Sequence, residues 1–145
     1  LDVYERIDEL IDVGAPLEFT YVGRYPKGHV PKHTKIVAPL YGQALGDELR
    51  KHDIYVTGAR YEACGSHHVE GAACGLPVIF HANGGGVGEM CRRYGVEIQN
   101  VNGFKSAVEA IMHDYANFKK RASDADLSSD TMCKQYLELI ARMTA

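Results

Sequence analysis

Apolar positions follow two rhythms along this chain. Val3, Ile7, Leu10 and Ile11 recur at three-to-four spacing and predict an amphipathic helix over Leu1–Asp12, with Gly14 and Pro16 punctuating its end. Leu17–Val22 is a short β-rich run stopped by Gly23, and Lys35–Ala38 is a second one ended by Pro39. Between them, Arg24 to Lys35 reads as a loop. Leu45 and Leu49 mark a helix over Gln43–His52, Asp53–Thr57 is a strand, and Gly58–Ser66 is a loop. His67–Cys74 is a short helix closed by Gly75, and Pro77–Phe80 is a strand. A glycine turn at Asn83–Gly86 leads to a helix over Val87–Tyr94 and a last strand at Gly95–Ile98. Phe104, Val108, Ile111, Met112 and Tyr115 predict one long helix over Phe104–Arg121, and Thr131–Met143 a closing helix. Both closing helices are expected to cover the core through residues such as Tyr136, Leu137 and Ile140.

Short, nearly all-apolar strands alternating with helices predict parallel pairing through βαβ crossovers. The expected fold class is α/β: a doubly wound parallel sheet with C-terminal helices, one domain over residues 1–145. In such sheets ligands sit at the carboxyl ends of the strands, near the point where the winding reverses. That directs attention to the loops at Gly23, Pro39, Gly58–Ser66 and Ala82–Gly86.

Composition narrows the function classes. The chain has 145 residues, 46% of them hydrophobic and 24% charged, with a net charge of −3. Chains of this size bury roughly two thirds of their unfolded surface, so a substantial core is expected. The charge balance provides no broad basic field for a nucleic-acid backbone, so no nucleic-acid partner is expected. No apolar stretch approaches the ~20 residues of a membrane helix, and membrane contact is not indicated. Cys64, Cys74, Cys91 and Cys133 form no CxxC pair, which suggests free thiols in a reducing compartment and cytoplasmic residence. The first residue is Leu1 rather than Met, and the chain reads as a piece of a longer one.

The densest cluster of functional side chains is Tyr61–Gly75. Glu62 lies in the loop leaving a strand, and Glu70 lies in the first turns of the next helix, with seven residues between them. The backbone around Gly65–His68 then forms a helix start, whose N–H groups and dipole attract an anion. A carboxylate beside that anion can meet a ribose diol, so a nucleoside diphosphate satisfies both features. Equally, Glu70 fits as a favourable charge near a helix start and Glu62 as a solvated loop residue. His67, His68 and Glu70 meet no zinc template, and no metal is expected. Cys64 precedes a helix start but lacks an orienting partner for nucleophilic work. The GGGVG run at Gly84–Gly88 does not fit G-x-G-x-x-G.

The run Asp53–Met90 resembles the nucleotide-sugar half of retaining GT-B-fold glycosyltransferases of the large family four (group 1). The residues carrying this are Glu62 and Glu70 as Glu-x7-Glu, Ala72–Gly75 with Pro77 and Val78, and Gly84 and Gly85 followed by Glu89. The resemblance implies a hexosyltransferase-type enzyme of carbohydrate biosynthesis using a nucleoside-diphosphate sugar, with no metal cofactor. It implies that Glu70 bonds the ribose hydroxyls and that Glu62, the candidate catalytic residue, faces the donor sugar. Ala63, Cys64 and Gly65 would lie along the sugar and diphosphate, and Ser66 and His67 would offer N–H groups to phosphate. Gly84 and Gly85 would keep the neighbouring wall open, and Pro39 and Leu40 would lie near the base. Thr57-Gly58-Ala59 stands where the family commonly has Pro-Ser, and Ala63-Cys64-Gly65 stands for Gly-Phe-Gly.

Arg24 and Lys27, in Gly23-Arg24-Tyr25-Pro26-Lys27-Gly28, imitate the family's diphosphate-gripping loop, or form a solvated basic loop. The helix before them makes Leu17–Val22 the domain's second strand. The chain is therefore expected to lack the first strand and the acceptor-binding N-terminal domain, and to transfer nothing alone. A non-catalytic nucleotide-binding module and a nucleotide-sugar epimerase of the same fold are the alternatives.

Overall fold

The structure is a computed structural model and describes residues 2–25, 27–63 and 65–144. The elements run α1 (Asp2–Asp12), β1 (Thr20–Val22), β2 (Lys35–Val37), α2 (Gly42–Leu49), β3 (Tyr55–Thr57), α3 (His67–Ala73), β4 (Val78–His81), α4 (Gly86–Cys91) and β5 (Gly95–Ile98). A 3-10 turn at Val101–Gly103 then leads into α5 (Phe104–His113), α6 (Tyr115–Asp124) and α7 (Ser129–Thr144). All pairings are parallel, as the alternation of elements predicts. Hydrogen bonding divides the strands into two groups, β1-β2 and β3-β4-β5. Tyr55 stands opposite Val78, and Val78 opposite Gly95.

The core lies on both faces of the larger sheet, and β4, buried at every position, is its centre. On one face Ile79 and Ile98 meet Val3, Ile7 and Leu10 of α1 and Phe104, Ala107 and Ile111 of α5. On the other, Val78 and Phe80 meet Ala72 of α3, Val87 and Cys91 of α4, Tyr94, and Ala122 of α6. Alternation along a strand sends successive side chains to opposite faces, so β4 needs apolar residues throughout. Burial pushes the Cys91 thiol up to about 11, against a hydrogen bond with the Tyr94 hydroxyl that lowers it.

An acidic stripe on α1 holds the loop between β1 and β2. Asp8 accepts hydrogen bonds from the N–H groups of Lys32 (2.8 Å), His33 (2.9 Å) and Thr34 (2.9 Å), and from the Thr34 hydroxyl (3.0 Å). Asp12 pairs with His33 at 2.9 Å, and Glu5 with His29 at 3.3 Å. Spacing of three and four places these three carboxylates on one helix face.

Several expectations are corrected. The single helix over Phe104–Arg121 is two helices, broken at Asp114, whose φ of −126° and ψ of 36° leave the helical region. The break lets α5 cover one face of the sheet while Ala122 of α6 reaches the other. The closing helix does not cover the core: α7 has no buried residue, and Tyr136, Leu137 and Ile140 are exposed. The strand over Leu17–Val22 shortens to Thr20–Val22. Among the described residues, no helix is long and apolar enough to cross a membrane.

Candidate functional site

Two loops meet at the carboxyl ends of β3 and β4. They are joined by main chain: Tyr61 N–H donates to Asn83 O (2.7 Å), and Gly86 N–H donates to Glu62 O (3.1 Å). The second loop is shaped by His81, whose Nδ1 bonds Asn83 N–H at 3.0 Å, and by Gly85 at φ 70°. A Cβ at Gly85 would lie 2.3 Å from Glu62 O, so Gly85 is where the two backbones come closest. Gly84 is similarly confined, with His81 O only 2.8 Å from its would-be Cβ. Gly85 thus packs on the Glu62 backbone, and Gly84 on the carbonyls of His81 and Ala59.

Glu62 is half-buried, and Gly65 lies between its side chain and His67. A Cβ there would fall 2.8 Å from Glu62 Cγ and 3.0 Å from His67 Nε2. His67 is held from below by Tyr55, whose hydroxyl lies 3.2 Å from Nδ1. Burial raises the Tyr55 pKa strongly, so that hydroxyl stays protonated and can donate to His67. His68, one residue on, is buried at 3% exposure, and neither of its ring nitrogens has a hydrogen-bond partner. Burial above all, with neighbouring His67, holds its pKa below the ordinary value, and Glu62 acts the other way.

Glu70 and His67 border a cavity of about 900 Å³ that also reaches Pro39, Leu40 and Gly23. The structure thus brings together Glu70, His67, Pro39 and Leu40, and separately Glu62, Gly65 and His67. Ala63, Ser66 and Glu70 are exposed around the start of α3. Arg24 and Lys27 are exposed on the loop clipped to α1, and neither lines that cavity. Cys64 lies outside the described residues. Among the described residues, no group of three or more His, Cys, Asp or Glu could hold a metal ion.

Sequence reasoning did not single out Tyr61, the neighbour of Glu62. It has φ 57°, the one described non-glycine residue with positive φ, and its side chain is 83% exposed beside Glu62. A loop aromatic adjoining Glu62 was the available signal. It also missed the latch formed by His81 and Asn83, which no spacing rule announces.

The family model of the glycosyl transferases group 1 matches residues 16–126. The chain belongs to that family. No curated protein matches it. Among solved structures, sucrose-phosphate synthase from Thermosynechococcus elongatus superposes with a TM-score of 0.72 at 18% sequence identity. That match covers 99% of this chain and 42% of the synthase. The likeness shows the fold: this group 1 glycosyltransferase chain has the Rossmann-like α/β architecture of a GT-B domain, and spans less than half the length of that relative.

Proposed function

We propose that this chain is the donor-binding half of a glycosyltransferase that takes a sugar from a nucleoside-diphosphate sugar with retention of configuration. The observation that carries the reading is the family match over residues 16–126, which contains Glu62, Glu70 and the Gly84–Gly85 turn. In this reading Glu70 bonds the ribose hydroxyls, with Pro39 and Leu40 against the base. Supporting that role, the three residues border one cavity. Glu62 faces the donor sugar, and Ala63, Cys64, Gly65, Ser66 and His67 follow the sugar and diphosphate. Arg24 and Lys27 add positive charge from the neighbouring loop.

Transfer requires stabilising the charge that builds on the departing diphosphate. Oriented N–H groups and cations do this without a metal when they are fixed before reaction. Tyr55, by holding His67 Nδ1, fixes one donor of that kind. The acceptor site belongs to a second domain, in keeping with the 42% coverage of the synthase, and this chain alone binds donor without turnover. Free thiols at Cys74, Cys91 and Cys133 accord with a reducing, cytoplasmic setting.

The test is a thermal-shift titration with UDP, GDP and ADP, repeated on Glu70→Gln. A nucleotide at a hundred times its dissociation constant adds about 2.7 kcal/mol to stability. The expected result is a shift with one nucleoside diphosphate that Glu70→Gln abolishes. A shift that Glu70→Gln leaves intact removes Glu70 from the site, and no shift with any nucleotide overturns donor binding by this chain.

A further inference from the structure

His68 is a buried group of the site that donor binding leaves unused. Helix α3 buries His68, Gly71 and Ala72, three positions on one stripe. Ala72 of that stripe packs with Val78 and Phe80 in the apolar core, and an apolar side chain at position 68 would continue it. Instead a histidine stands there, 3% exposed, with no hydrogen-bond partner for either ring nitrogen. Buried polar atoms in folded proteins are nearly always paired, and an exception asks for a role. The neighbours of His68 are the functional side chains at the start of α3. The His67 ring meets it edge-on, with centroids 5.4 Å apart and an interplanar angle of 82°. Glu62 completes the group: the point where Gly65 lacks a Cβ is 2.8 Å from Glu62 Cγ and 3.0 Å from His67 Nε2.

We propose that His68 is a positioning residue for Glu62: a proton on its ring draws the Glu62 carboxylate inward, across the gap at Gly65, and the neutral ring leaves that carboxylate free to face the donor. This rests on the reading of Glu62 as the donor-facing residue. A neutral imidazole has one N–H donor, and a protonated one has two and a full charge. A charge buried this deeply requires a counter-charge. Glu70 is exposed and two positions further along the same helix, so it faces another way. The other ionisable groups on elements packed against α3 are Tyr55 of β3, His81 of β4, and Cys91 and the exposed Glu89 of α4. On α6 they are Tyr115 and the exposed Lys119, Lys120, Arg121 and Asp124. Burial is the chief influence against a proton on His68. Among the described residues, His67 adds to that opposition, and Glu62 is the group that favours the proton.

The backbone limits what can move. The Glu62 carbonyl accepts Gly86 N–H at 3.1 Å, and Gly85 packs against the same carbonyl, so the main chain stays in place and the side chain turns. Gly65 leaves the path open, since a Cβ there would stand against both Glu62 Cγ and the His67 ring. His67 is tethered, because its Nδ1 lies 3.2 Å from the Tyr55 hydroxyl. Above the His68 midpoint the ring is neutral and Glu62 faces outward. Below it the ion pair forms and the carboxylate is withdrawn from the donor. Burial holds that midpoint under the ordinary histidine value of about 6.5, so Glu62 is available at neutral pH and withdrawn in acid.

The test is an NMR titration of the isotopically labelled 145-residue chain, without nucleotide, from neutral pH down to its acid unfolding. It follows the His68 ring carbons, the Glu62 carboxyl carbon, and the nuclear Overhauser effect between the Glu62 γ-protons and the His68 ring. The expected result is a step in the Glu62 carboxyl resonance at the His68 midpoint, with an Overhauser contact that strengthens below it. His68→Leu and His68→Gln fill the same position without taking a proton, and both should lose the step. Glu62→Gln should lower the His68 midpoint by about one unit. A Glu62 resonance with no step at that midpoint, or an unchanged midpoint in Glu62→Gln, overturns the proposal. So does a step that survives in both His68 variants, or a His68 ring that stays neutral until the chain unfolds. Because no nucleotide is used, failure here is distinct from failure of donor binding, which the thermal-shift titration reads.

Discussion

Replacing Gly85 by alanine tests whether the two loops of the site are held by backbone contact. Gly85 has φ 70° and ψ −132°, close to the region that glycine alone populates, and a side chain there costs about 1–3 kcal/mol in strain. The new Cβ would also lie 2.3 Å from Glu62 O and 3.0 Å from Glu62 C. Backbone cannot rotate away as a side chain can, so the loops must part by close to an ångström. Parting them weakens Gly86 N–H to Glu62 O and Tyr61 N–H to Asn83 O, each worth about 1 kcal/mol. The sum is about 3–5 kcal/mol, a large share of the stability of an ordinary domain. Gly14→Ala is the matched control, because Gly14 has φ +89° with nothing within 4 Å of its would-be Cβ; it carries the left-handed penalty of about 1–2 kcal/mol alone. Urea denaturation of both variants gives the overlap contribution by difference. If Gly85→Ala costs no more than Gly14→Ala, the contact does not hold the loops and the account of how Glu62 is seated is wrong.

His68 has two buried, unpartnered nitrogens and a pKa below its unfolded value of about 6.5. The unfolded chain therefore binds more protons as pH falls, and the contribution present above about 6.5 is lost below it. His68→Leu is expected to raise stability by about 1 kcal/mol at pH 7 and to flatten the loss toward pH 5 in urea melts; destabilisation refutes this. Desolvation raises the Asp8 pKa, but its hydrogen bonds from Lys32, His33 and Thr34 outweigh that and hold it below the ordinary carboxylate value. Its contribution is present above about pH 3.9 and lost as pH falls through the lower folded value. Asp8→Ala should cost about 1–2 kcal/mol at pH 6 and much less in strong acid, by the same melts. Deleting residues 129–144 removes no buried residue, and should lower Tm by less than about 3 °C in a calorimetric scan.

Much of the architecture was legible because periodicity and burial coincide. Val3, Ile7 and Leu10 mark α1 in sequence, and all three are buried. The β4 run is apolar at every position because both faces are covered. The break at Asp114 was not legible, since Phe104, Val108, Ile111 and Tyr115 keep helical spacing across it. The two faces that α5 and α6 cover are a tertiary demand that overrides local pattern. α7 misled for the opposite reason: its apolar residues have the right period, but no partner surface among the described residues buries them. In the site, Glu62, Glu70 and the glycines were legible as types at a spacing. What Gly85 does was not, because an approach of two backbones across more than twenty residues leaves no trace in either segment.

The departures from the family pattern fall where the structure has a local substitute or open space. Thr57 stands in the place of the usual Pro-Ser turn, and its hydroxyl accepts Ala59 N–H at 3.2 Å. A Ser/Thr turn of this kind fixes the chain leaving a strand much as proline does. Gly58 then passes under α1, where a Cβ would lie 3.4 Å from Val3 Cβ. Ala63 is exposed, so nothing in the fold demands a particular side chain there. The matches, by contrast, fall where space closes: Gly65 between Glu62 and His67, and Gly85 on the Glu62 backbone. Loop geometry is thus held by main chain and glycine, while exposed positions around it are free to vary.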